Sequence, residues 1–230
     1  MKNNILILLI LTFTINISAQ TTRKVIQLTG KISEKHPIAM TLTIENESVL
    51  GFYYYEKYKT KILLEGKISN GKVTLKESPD YESEFETGFI GEMTDSNFVG
   101  KWIDKSKDKT LKCELIITLN KKINLIKDTT EIEGTYKNLL NSEKYIGSVD
   151  LKNITDKIFY FEISNGTESG CVGFLKGLIE LKDLKYGIFS TNLCEKLEFQ
   201  LSDNELIVNE NNCYFHGMRC PFEGKYKKNE

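Results

Sequence analysis

Few residues in this chain could carry a reaction. It has only two histidines, His36 and His216, and catalysis needs a positioned nucleophile, acid or base. His36 precedes a proline in Glu34-Lys35-His36-Pro37, which points to a turn or the start of a strand. His216 lies in Tyr214-Phe215-His216-Gly217-Met218-Arg219-Cys220, where a structural hydrogen bond in a turn is the expected role. No G-x-S-x-G, H-E-x-x-H or phosphate-cradling glycine loop occurs. Carboxylates gather at Glu77, Asp80, Glu82, Glu84 and Glu86. Strand alternation from Asp80 to Glu86 would put the last four on one face, and a pair flanking a cleft could hydrolyse a glycoside. With Tyr81 and Phe85 on the other face, an exposed acidic hairpin is the plainer expectation.

Tyrosines form the remaining candidate surface. Tyr53-Tyr54-Tyr55 is followed closely by Tyr58. Alternation sends Tyr54 to the face opposite Tyr53 and Tyr55, so at least one ring must lie outside a sheet or at a barrel mouth. Such rings suit contacts with protein or carbohydrate, although tyrosine is also an ordinary strand residue. The candidate partner- or ligand-binding residues are therefore Tyr53, Tyr54, Tyr55, Tyr58, Trp102 and His216.

Five cysteines occur, Cys113, Cys171, Cys194, Cys213 and Cys220, so one is left over from pairing. Folding the chain about Asp203-Asn204 sets Leu201 against Leu206, Phe199 against Val208 and Cys194 against Cys213. One register thus satisfies both the apolar face and a cross-strand disulfide. A pair between Cys171 and Cys220 is the second expectation. Cys113 is in phase with Leu111 and Leu115 and is expected as a buried free thiol. No C-x-x-C is present and imidazole is scarce, so neither a metal site nor a cofactor is expected.

The elements that must position these residues are short strands. The start reads as a removable export leader over residues 1–19, with Lys2 before the apolar run Ile5 to Phe13. Charge is nearly balanced at a formal −1, with no basic stripe, which argues against nucleic acid. In residues 20–122, period-two runs recur at Val25–Ile32, Ile38–Ile44, Val49–Tyr55, Ile62–Ile68 and Val73–Leu75, closing with Leu111–Thr118. Asn70-Gly71 is a strong hairpin signal. A second hairpin folds about Asp95-Ser96, setting Met93 against Phe98, Gly91 against Gly100 and Phe89 against Trp102. Asn120 to Thr130 is polar and unpatterned and reads as a connector.

Residues 123–230 begin again. Ile132–Tyr136, Tyr145–Leu151, Ile158–Ile163, Cys171–Leu175, Leu178–Tyr186, the cysteine hairpin and Phe222–Tyr226 are the expected strands. The first and last share Glu-Gly-x-Tyr, at Glu133 to Tyr136 and Glu223 to Tyr226, so the two ends could pair and remove an edge. The expectation is all-β, with two consecutive antiparallel meander or barrel-like domains of about eight strands each. Pattern alone leaves two barrels and one larger sandwich open.

The second half resembles a small domain of bacterial secreted proteins of mostly uncharacterised function. That resemblance rests on Cys194-Glu195-Lys196-Leu197-Glu198-Phe199, on Cys213-Tyr214-Phe215-His216-Gly217 and on Phe222-Glu223-Gly224-Lys225-Tyr226. The first half is similar through Gly51-Phe52-Tyr53-Tyr54-Tyr55, Ile62-Leu63-Leu64-Glu65-Gly66 and Phe98-Val99-Gly100-Lys101-Trp102. In architecture such barrels look like periplasmic lysozyme inhibitors and lipocalin-like binders. The resemblance is architectural and carries no residue of an inhibitory loop. The leader, the expected cysteine pairs and the lack of a catalytic motif give the leading expectation of a periplasmic or secreted, non-catalytic module that contacts a protein of the cell envelope or extracellular space, as an enzyme inhibitor among other roles. The alternatives are a carrier of a small apolar or sugar ligand in a barrel cavity, and a hydrolase using the carboxylates of residues 77–86.

Overall fold

The computed structural model describes residues 22–78, 86–124, 132–155 and 157–229. Residues 1–19, expected from the sequence to be a leader, and the carboxylates Asp80, Glu82 and Glu84 lie outside them. The described chain is all-β. Its only helical element is a single 3-10 turn at Lys105–Lys107.

Eight strands form the first module: β1 (Thr22–Ile32), β2 (His36–Glu45), β3 (Ser48–Tyr55), β4 (Ile62–Ser69), β5 (Lys72–Glu77), β6 (Thr87–Met93), β7 (Asn97–Asp104) and β8 (Lys109–Asn124). They meander in order, and β8 pairs back on β1 to close the barrel. At the Asn70-Gly71 turn both residues have positive φ, 50° and 78°, the geometry a tight type I′ hairpin needs. Both hairpin registers match the sequence: Ile68 faces Val73, and Phe89 faces Trp102. The last strand runs further than expected. Asn120 to Asn124 is not a connector but continues β8, pairing with Ile26 to Thr22. This polar stretch has little apolar pattern to reveal it; it is held by the backbone ladder that closes the barrel.

A second eight-stranded sheet follows: β9 (Gly134–Asn138), β10 (Tyr145–Thr155), β11 (Ile158–Thr167), β12 (Val172–Glu180), β13 (Tyr186–Thr191), β14 (Cys194–Ser202), β15 (Glu205–Cys213) and β16 (Gly224–Lys228). Its order is β12-β11-β10-β9-β16-β15-β14-β13. The two ends of the module do zip together, Tyr226 opposite Asn138 and Lys228 opposite Tyr136. The open seam falls instead between β12 and β13, so this barrel is nearly closed. One expectation is corrected here. Cys171–Leu175 and Leu178–Tyr186 are not separate strands; the chain runs straight through Gly177, and the next strand starts at Tyr186. Gly177 is no break. A Cβ there would sit 2.5 Å from a ring carbon of Phe189, so the missing side chain makes room for that ring across the seam.

Both interiors are filled. In the first, Phe89 lies edge-on to Tyr53 at 5.1 Å and to Phe98 at 6.5 Å between ring centres. In the second, Phe161 packs on Phe189 at 5.0 Å and on Phe199 at 4.8 Å, beside Leu201 and Val208. Cys194–Cys213 and Cys171–Cys220 are disulfides. Cys113 is a buried free thiol, and burial pushes it up to about 12, which leaves it unreactive at neutral pH.

The modules share a wall. Phe52 and Leu63 of the first pack on Ile154 and Tyr160 of the second. Arg23 forks onto Glu133, with Nη1 donating to Oε2 at 2.8 Å and Nη2 to Oε1 at 2.5 Å. Lys176 pairs with Glu65 at 2.8 Å, and the Thr43 hydroxyl donates to the Ile154 carbonyl at 3.0 Å.

Candidate functional site

The end of the first barrel that carries the β1–β2, β3–β4 and β7–β8 connections collects most of the aromatic candidates. Glu77, the last residue of β5, is the hub. Its Oε1 accepts from the Tyr53 hydroxyl at 2.6 Å and from the Trp102 indole N–H at 2.8 Å. Tyr53 is 1% exposed, so it cannot reach a partner; it braces the hub. Burial first, then the Glu77 charge, raises its phenol well above the ordinary range. Tyr55 lies edge-on to Tyr53 at 5.6 Å, and burial raises its phenol too.

Above this brace is a hollow of about 280 Å³, lined by Ile32, His36, Tyr55, Tyr58, Trp102, Lys109 and Leu111. Ile32 and Leu111 give it an aliphatic lining, and His36, Tyr55, Tyr58 and Trp102 an aromatic one. Registers explain the gathering: Ile32 pairs with His36 across the β1–β2 turn, and Trp102 pairs with Leu111 across β7–β8. His36 stands edge-on to Tyr55 at 6.3 Å. The Lys109 ammonium lies 5.9 Å from the Trp102 ring centre, and the Lys57 ammonium 5.1 Å from that of Tyr58. Tyr58 is 66% exposed.

The sequence candidates therefore divide. Tyr55, Tyr58 and Trp102 meet at the hollow, and Tyr53 supports it from beneath. Tyr54 points outward, as alternation requires, and packs at the wall between the modules with Lys59 over its ring at 4.9 Å. His216 is in the other module. Its Nε2 meets Glu210 at 2.9 Å and its Nδ1 the Gly217 carbonyl at 2.9 Å. Glu210 also accepts the Phe222 backbone N–H at 2.9 Å. This arrangement ties the Cys213–Cys220 loop to β15, a structural role. His36, Lys109, Leu111 and Ile32 went unrecognised as one group because their proximity depends on two separate hairpin registers. Glu77 was visible only as one of a run of acids. Among the described residues of that run, Glu77 holds the aromatic brace and Glu86 is exposed.

No family model, curated protein or solved structure matches this chain. What the fold and hollow define is a class: a two-module all-β protein with filled barrel interiors and an aromatic hollow at one barrel mouth.

Proposed function

We propose that this is an exported, non-catalytic binding protein that docks another protein at the mouth of its first barrel. The carrying observation is the hollow formed by Tyr55, Tyr58 and Trp102 over the Glu77 brace. Aromatic anchors held on a rigid frame are the usual core of a protein contact. An open hollow of about 280 Å³ at a barrel mouth is large enough to receive one side chain of a larger partner. A carrier would need an open barrel centre, and here Phe89, Phe98, Phe199 and Leu201 occupy those positions. A hydrolase would need convergent free carboxylates; of the two described acids of residues 77–86, Glu77 is engaged by Tyr53 and Trp102 and Glu86 is exposed. Two disulfides suit an oxidising compartment outside the cytoplasm, and no described helix is long and apolar enough to cross a membrane.

The test compares proteins from the native envelope and medium retained by immobilised wild type and by a Tyr58→Ala variant. Tyr58 is largely exposed, so its loss should leave the fold's unfolding midpoint unchanged. A protein bound by wild type and lost at least tenfold from the variant supports the reading. Identical retention by both would overturn it.

A further inference from the structure

The chemistry of the hollow narrows the partner, on the premise that the mouth is a docking site. The polar handles of Tyr53 and Trp102 are consumed by Glu77. An arriving group therefore meets aromatic rings, the side chains of Ile32 and Leu111, and the remaining polar atoms of the lining. Among the described residues no carboxylate lines the hollow, and its one permanent charge is Lys109.

Of the lysines near this end, Lys59 pairs with Glu56 and Lys107 with Asp104. Lys109 and Lys57 have no carboxylate partner among the described residues; each ammonium rests over an aromatic ring instead. Lys109 is exposed, so its contact with the ring and an ion pair with an arriving carboxylate are of similar strength. A carboxylate reaching the hollow can therefore take the Lys109 ammonium from Trp102 at little cost, leaving the indole face free to stack.

We propose that the hollow takes an acidic aromatic anchor from a partner protein: a ring that enters between Trp102, Tyr55 and Tyr58, with a carboxylate close beside it that pairs with the Lys109 ammonium. The anchor is an aromatic residue next to Asp or Glu, or an aromatic residue at a chain's C-terminus. Ring burial supplies the attraction and the charge pair selects acidic over neutral or basic sequences.

Trp102 is the chain's one tryptophan, so its fluorescence reports this site alone. The probes are N-acetyl-phenylalanine, which carries ring and carboxylate together, its neutral amide, phenethylamine as the cationic counterpart, and glucuronate as a carboxylate on a sugar. A saturable change with the acid is expected, with the amide weaker by roughly fivefold, the size of one partly exposed charge pair, and phenethylamine weaker still. Lys109→Gln should bring acid and amide to equal affinity while far-ultraviolet dichroism and the unfolding midpoint stay as in wild type. Raising salt should narrow the gap between acid and amide in wild type but not in the variant. The inference is overturned if acid and amide bind wild type equally, if phenethylamine binds best, if Lys109→Gln keeps the acid preference, or if no probe binds. Tighter binding of glucuronate would overturn the assignment to a protein anchor. Tyr58-dependent retention of a partner with no acid preference among the probes sinks this inference and leaves the docking site standing; loss of both sinks both.

Discussion

Two tyrosines repeat one local device. The Tyr136 hydroxyl donates to the Ile132 carbonyl at 2.7 Å, and the Tyr226 hydroxyl to the Phe222 carbonyl at 2.7 Å. Each closes its own Glu-Gly-x-Tyr segment, four residues back, and each is fully buried. Burial pushes both phenols up to about 12, so both remain donors through the physiological range. Converting either to phenylalanine keeps the ring but strands a carbonyl. We expect Tyr136→Phe and Tyr226→Phe each to lose about 1–2 kcal/mol in urea unfolding, with little change in slope. An unchanged midpoint in both would mean that water replaces the hydroxyl without cost. The repeated motif was legible in the sequence, whereas the bond it makes was not, because a tyrosine's reach depends on how the strand enters the sheet.

The hairpins were the most legible elements. Around Asp203-Asn204 every pairing from Ser202–Glu205 to Cys194–Cys213 keeps one register, because a one-residue slip would expose Leu197, Phe199 and Leu201. The disulfide adds a constraint at the far end of that hairpin. Replacing Cys194 with serine should destabilise the second module by about 2–4 kcal/mol; denaturant unfolding followed by a probe in that module measures it, and a loss under about 1 kcal/mol would show that register alone suffices. Elements without an alternating apolar pattern were misread. The tail of β8 is polar, and in β12 the polar-and-small pair Lys176-Gly177 interrupts the apolar run between Leu175 and Leu178. In both cases the deciding contact comes from a distant segment: β1 for the tail of β8, and Phe189 for Gly177.

At the level of the whole molecule, the two modules are joined by an apolar patch ringed with ion pairs. Burial pushes the Glu65 carboxyl up, but Lys176 and the Ser78 hydroxyl outweigh it and hold the group below its ordinary 4.5. Glu45 is held low in the same way, with Lys152 and Arg23 overcoming burial. A carboxyl whose folded pKa is depressed adds stability that is complete above the unfolded value and is lost as pH falls through the folded one. Wild type should therefore be more stable than Glu65→Gln at neutral pH, and the difference should shrink as pH drops below about 4.5. Thermal unfolding of both proteins between neutral and acid pH checks this; a difference independent of pH would assign the effect to packing rather than charge.

The sequence by itself determined the all-β class, the hairpin registers, the Cys194–Cys213 pair and the likeness of the second module's two ends. These follow from neighbours along the chain and from a side-chain period of two, which a single sequence displays. Only the tertiary structure decided that the first barrel closes while the second stays open between β12 and β13, and that Glu77, Tyr53 and Trp102 form a brace. It also decided that Tyr54 faces the other module while Tyr55, Tyr58 and Lys109 share a hollow. Those outcomes depend on which strands meet around a closed sheet and on which walls then touch, and no local pattern encodes either.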